Sequence, residues 1–121
     1  MKTTKSEQDY LETILTLHRR TGYVRSIDIA NELGVSRPSV SVAMKKLIEL
    51  GHVVMEDSSR IILTQSGEEV AEEVYSRHIA LTNLLMELGV SAQTAEEDAC
   101  RIEHDISDET FAAIRRHFES K

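Results

Sequence analysis

The stretch SIDIANELGVSRPSVSVAMKKLIELG, residues 26–51, decides the fold. Ser26 offers an N-cap oxygen, and Ile27, Ile29, Ala30 and Leu33 give an inward face to a helix that Gly34 ends. Val35 is expected to pack, and Ser36 to cap the next helix with Pro38 in its first turn, where a missing N–H costs nothing. That helix should run to about Leu50, with Val40, Ala43, Met44, Leu47 and Ile48 as its core stripe and Gly51 as its stop. A short helix, a tight glycine-containing turn and a second helix make a helix-turn-helix.

The outward positions of the second of these helices are Arg37, Ser39, Ser41, Val42, Lys45, Lys46 and Glu49. Small hydroxyl residues allow close approach to a groove, and Arg37, Lys45 and Lys46 offer donors to phosphates or guanine edges. A solvated basic face is the plain alternative. The next segment of the chain favours DNA: His52-Val-Val-Met55 and Ile61-Ile-Leu-Thr64 are β-rich runs joined by the polar turn Glu56-Asp-Ser-Ser-Arg60. A hairpin directly behind a helix-turn-helix is a winged arrangement, with Arg60 near the wing tip and within reach of a DNA backbone or minor groove.

Upstream, residues 4–21 read as a helix opened by the capping box Thr4/Glu7, with Leu11, Ile14 and Leu15 at helical spacing and Gly22 as its stop. Asp9 and Glu12 share a face of it, and an acidic helix start in water is their plain reading. Downstream, Ser66/Glu69 looks like a second capping box, opening a helix to Leu88. At ~1.5 Å rise per residue it would span ~35 Å. Its Val70, Val74, Ala80, Leu81, Leu84, Leu85 and Leu88 exceed what so small a lobe can hide, which predicts a partner-burying surface. Ser91 should cap a helix to His104 and Ser107 a last one over 108–119, with Phe111, Ile114 and Phe118 as its stripe. The fold expected is mainly α: a winged helix-turn-helix DNA-binding domain over 1–65, then a helical metal-binding and dimerisation domain over 66–121.

Charge divides the same way. The first 60 residues hold nine Lys/Arg against eight Asp/Glu, the remaining 61 five against thirteen, within a net charge of −7. A near-neutral half with a local basic face suits DNA, and an acidic half suits cations. With 121 residues, 40% of them hydrophobic, the chain can bury a core unaided. Its single cysteine allows no internal disulfide, and no apolar run reaches the length of a membrane span, so a cytoplasmic setting is expected.

Cys100-Arg-Ile-Glu103-His104 places a thiol, a carboxylate and an imidazole at i, i+3 and i+4, where one helix face can present all three to one ion. A polar helix end without a role is the alternative. Cys100 and His104 as nucleophile and base of an enzyme lack a Gly-rich turn, an oxyanion motif and an orienting third residue, so no enzyme is expected. His78 stands alone on the long helix, where such histidines are more often packed than ligating.

Together, the winged helix, Asp9-Tyr-Leu-Glu12, Tyr75-Ser-Arg-His78 and Cys100-Arg-Ile-Glu103-His104-Asp-Ile-Ser107 resemble the metal-dependent repressors of the diphtheria toxin repressor and manganese transport regulator family. The resemblance covers essentially the whole chain, and the length is similar to the short branch without an SH3-like domain. It implies a cytosolic homodimer, joined through its C-terminal helices, that takes Fe(II) or Mn(II) as corepressor, binds palindromic operator DNA and controls metal-uptake genes. Asp9, Glu12, His78, Cys100, Glu103 and His104 match the family's ligand positions, between the first helix of the DNA lobe and the dimerisation lobe. Ser36, Arg37, Pro38, Ser39, Ser41, Val42, Lys45 and Lys46 fall on the recognition helix. Asp9 follows the manganese branch and Cys100 the iron branch; carboxylate suits Mn(II), while thiolate shifts preference toward Fe(II), Co(II), Ni(II) or Zn(II). Thr82 and Glu96 stand where the longer branch has ancillary ligands beside His78. The rival within the fold is a regulator sensing an oxidant or small organic ligand.

Overall fold

The computed structural model describes residues 3–57 and 59–120; Met1, Lys2, Lys121 and Ser58 of the expected turn lie outside them. Among the described residues, six helices and one hairpin occur in the order α1 Lys5–Thr21, α2 Ser26–Leu33, α3 Arg37–Glu49, β1 Val53–Glu56, β2 Arg60–Leu63, α4 Gln65–Glu87, α5 Ala92–Ile102 and α6 Asp108–Glu119. The chain divides into two compact units between Glu72 and Glu73, inside α4.

The first unit forms around α1. Thr4 Oγ1 accepts from the Glu7 N–H and the Glu7 carboxylate accepts from the Thr4 N–H, so the expected capping box is present. Leu11, Ile14, Leu15 and Leu17 of this helix are buried together with Val24, Ile29, Val40, Met44, Leu47, Val53 and Ile61. Gly22, at φ 79°, adopts the left-handed conformation that ends α1 at little steric cost. Helices α1, α2 and α3 pack mutually, with the hairpin against α1 and α3. β1 and β2 are antiparallel, Val53 opposite Leu63 and Glu56 opposite Arg60, and the Ile61 N–H donates to the Val24 carbonyl at 2.8 Å. Helix-turn-helix and wing are therefore as the sequence predicts.

Several details differ. Ser26 does not cap α2; Arg25 holds that position, and its N–H donates to the Asp28 carboxylate at 2.9 Å, because an acidic side chain three residues on reaches back to the cap. Ser66 does not cap α4 either. Thr64 Oγ1 accepts from the Gly67 N–H at 3.2 Å, while the Ser66 hydroxyl donates to the Gly51 carbonyl at 3.1 Å and lies 2.9 Å from His52 Nδ1. Ile27, Val35 and Ile48 are more than a third exposed instead of packed. On α3 the buried stripe is Val40, Met44 and Leu47, at i, i+4 and i+7, and Ile48 lies at its edge, about 40° past Met44.

The start of α4 sits hard against the chain before β1. A Cβ on Gly67 would lie 2.0 Å from the His52 carbonyl oxygen and 2.9 Å from its carbon. These are backbone atoms, so relief requires moving α4 or the entry to the wing. We expect Gly67→Ala to lower stability by about 1–3 kcal/mol, read as a lower urea midpoint; an unchanged midpoint would contradict the close approach.

The second unit is thinly cored. Val74 and Leu81 of α4 and the small side chains Ala95 and Ala99 of α5 are buried, whereas α6 has no buried residue. Ser91 and Ser107 cap α5 and α6 as expected, accepting from the Thr94 and Thr110 N–H groups. Helix α5 stops at Ile102, before the expected His104. Among the described residues, no helix is long and apolar enough to cross a membrane.

Candidate metal centre and nucleic-acid interface

Glu103 is 2% exposed, a burial seldom found for a carboxylate unless it is paired. It occupies the C-cap of α5 at φ −58°, ψ −25°, its N–H still donating to the Ala99 carbonyl at 3.0 Å, so the helical trend turns its side chain inward although the helix has ended. Its Oε2 lies 2.8 Å from Nδ1 of His78 on α4. Its Oε1 lies 3.2 Å from Nε2 of His104, whose side chain is fully buried. That approach lacks hydrogen-bond geometry, and among the described residues Oε1 is buried with no hydrogen-bond partner.

One carboxylate between two imidazoles can hold protons or a cation. Imidazole nitrogens and carboxylate oxygens are good donors to first-row divalent metals. A buried carboxylate oxygen without a donor costs on the order of 1–3 kcal/mol, and a bound cation would satisfy it. The residues present therefore fit a divalent metal, and His78, taken alone in the sequence, is brought to Glu103 by the fold.

Three further ligands were expected. Asp9 and Glu12 lie on α1, both half-buried instead of standing in open solvent. Cys100 is exposed on the last turn of α5, whereas Glu103, at the C-cap, is buried.

Sequence reasoning missed Arg77. Its NH1 donates to the carbonyls of Glu103 at 3.3 Å and Ile106 at 3.1 Å, and its NH2 pairs with the Asp108 carboxylate. Its side chain is only 12% exposed, and the guanidinium stands 4.9 Å from the Phe111 ring centre. A signal was available: Arg77 is the sole Lys or Arg between Arg60 and Arg101. A lone cation in an acidic stretch has a specific partner more often than a solvated face does.

The candidate nucleic-acid face is on α3. Ser36 Oγ caps the helix through the Ser39 N–H at 3.2 Å. Arg37, Pro38, Ser39, Ser41, Val42, Lys45 and Lys46 are all exposed, Val42 to 71%, an unusual value for a large aliphatic side chain in a helix interior. Arg60 is drawn back from the wing: its guanidinium lies 5.2 Å from the Tyr23 ring centre and 3.5 Å from the Gly22 carbonyl.

In the second unit, Ala80 and Leu84 of α4 and Phe111, Ile114 and Phe118 of α6 line an open apolar groove. Of the α4 residues that the sequence assigned to a partner, Ala80, Leu81 and Leu84 line this groove, whereas Val74 is buried and Leu88 is exposed.

Known proteins resemble both halves of the chain. The family described as "Iron dependent repressor, N-terminal DNA binding domain" matches residues 2–60, and "Iron dependent repressor, metal binding and dimerisation domain" matches residues 64–120. The transcriptional regulator MntR of Escherichia coli O157:H7 is 41% identical over 107 residues, 88% of this chain and 69% of that protein. The solved structure of IdeR from T. acidophilum is 29% identical, with a TM-score of 0.81 over 98% of this chain and 55% of that one. A manganese-dependent transcriptional repressor in complex with manganese is 32% identical, with a TM-score of 0.82 over 92% of this chain and 51% of that one. The chain spans about half the length of these solved structures.

Proposed function

We propose that this chain, which belongs to the iron-dependent repressor family, as does the transcriptional regulator MntR, is a metal-responsive transcriptional repressor. What carries the reading is the buried Glu103 carboxylate between the imidazoles of His78 and His104, with an oxygen that no donor among the described residues satisfies. Asp9, Glu12 and Cys100 are the further ligands that their positions in the family pattern imply. The ion is Mn(II) or Fe(II): two similar solved structures are named for manganese, and Asp9 suits it, while Cys100 pulls toward Fe(II). When bound, it supplies two positive charges against this carboxylate-rich set.

The chain's own residues do the rest. Without a cation, Glu103 and the proposed acidic ligands Asp9 and Glu12 repel one another. With one, they hold a single arrangement. Metal raises DNA affinity only by as much as that arrangement binds DNA better than the alternatives. Arg37, Lys45 and Lys46 contact phosphates or guanine edges, the serines of α3 allow close approach, and Val42 faces the base edges. The apolar groove between α4 and α6 buries its counterpart on a second copy. A two-fold dimer then presents two α3 helices to the half-sites of a palindrome, about one helical turn apart. Under this reading residues 1–65 read DNA and residues 66–121 sense metal and dimerise.

The test is anaerobic titration of Mn(II), Fe(II) and Zn(II) into chelator-stripped protein, tracking binding to palindromic DNA from its own upstream region. A rise in affinity of about tenfold or more with one metal, equal to about 1.4 kcal/mol of coupling, is the expected result. Indifference to every metal would overturn it and leave an oxidant or small organic ligand as the effector.

A further inference from the structure

We propose that Arg77 is the positioning residue of this metal centre: its guanidinium fastens the turn that carries Glu103 and His104 to α4 and to the first residue of α6. The inference rests on reading Glu103 and His104 as metal ligands.

With α5 ending at Ile102, the carbonyls of the turn have no further helix to satisfy them. Arg77 takes two of these, from Glu103 and Ile106, on a single nitrogen, and commits its other terminal nitrogen to Asp108, where α6 begins. The two carbonyls bracket His104, so the grip sets the curvature of the segment bearing both ligand side chains. Arg77 directly precedes His78 on α4, and one turn of helix therefore supplies a ligand together with the anchor for the other two. The Phe111 ring, 4.9 Å away, and the Glu73 carboxylate, 3.9 Å away, restrict the guanidinium further. The role depends on the planar fork of arginine. A lysine ammonium, a point charge on a flexible stem, cannot reproduce the two-carbonyl and carboxylate geometry. Residues that only orient metal ligands commonly change affinity 10–100-fold when lost.

The test uses the full chain without DNA and Co(II) as probe, because its visible absorption reports ligand geometry as well as occupancy. Arg77→Ala should weaken Co(II) binding ~10-fold or more and alter the band positions or intensities. Arg77→Lys should fail to restore either. Asp108→Asn covers the case in which Arg77→Ala does not fold: its side chain is 78% exposed, so the variant folds, and loosening the guanidinium should weaken binding and shift the spectrum in the same direction to a smaller extent. Wild-type affinity and spectrum in both Arg77→Ala and Asp108→Asn would overturn the role, as would full restoration by lysine. A wild-type protein that gives no Co(II) spectrum would instead bring down the metal-site reading itself.

Discussion

Replacing Glu103 by Gln yields a folded protein that no longer responds to metal. In the proposed site the carboxylate is the central donor, touching His78 through Oε2 and lying beside His104 through Oε1. An amide keeps the shape and one hydrogen bond to His78 but removes the charge that a divalent cation needs. Loss of a residue that merely orients a ligand costs 10–100-fold, so losing this ligand should weaken Mn(II) binding by at least about 100-fold. The expected signature has two parts of opposite direction. Wild-type protein at a metal concentration about 100 times its Kd gains about 2.7 kcal/mol of stability by mass action, and the variant gains almost none. Without metal, the variant should be as stable as wild type or more so, because a buried, incompletely satisfied carboxylate has been neutralised. Thermal unfolding with and without Mn(II) reads both. A metal-induced rise in Tm equal to that of wild type would remove Glu103 from the ligand set.

Local signals were legible where one residue answers to its neighbours: the Thr4/Glu7 box, the serine caps at Ser36, Ser91 and Ser107, and the glycine stops. They failed where tertiary contact competes for the same hydroxyl. Ser66 satisfies every local rule for a cap, yet its Oγ is used to bridge Gly51 and His52, leaving the capping to Thr64. Periodicity gave the core of α3 but overstated its width, since Ile48, at the margin of the stripe, is 43% exposed.

The metal centre was legible as residue types and not as geometry. An uninterrupted α5 would have put Cys100, Glu103 and His104 in one row. The regular helix ends at Ile102; Glu103 holds its C-cap with helical dihedrals and is buried, and Cys100 is exposed. Arg77 bonds the carbonyls of Glu103 and Ile106 beyond that end, a contact 26 to 29 residues apart in sequence that no local pattern encodes.

A second large effect is expected on α3. Replacing Arg37, Lys45 and Lys46 together by Ala removes the cations from a fully exposed face, so Tm and metal affinity should stay within experimental error of wild type. DNA binding should not. At about 1 kcal/mol for each lost contact, metal-loaded protein should bind its operator roughly 100-fold more weakly. The salt dependence divides the roles of the three. Each residue neutralising a phosphate lowers the log–log slope of affinity against salt by about 1, whereas one reading a guanine edge relaxes sequence preference at its own base pair. Single variants sort Arg37, Lys45 and Lys46 between these outcomes. Val42 supplies the internal control: it carries no charge and is 71% exposed, so Val42→Ala should leave the salt slope unchanged while altering sequence preference through lost apolar contact with thymine methyl groups. If the triple variant binds operator as wild type does, α3 is not the reading helix, and the exposed residues of the wing become the surface to test.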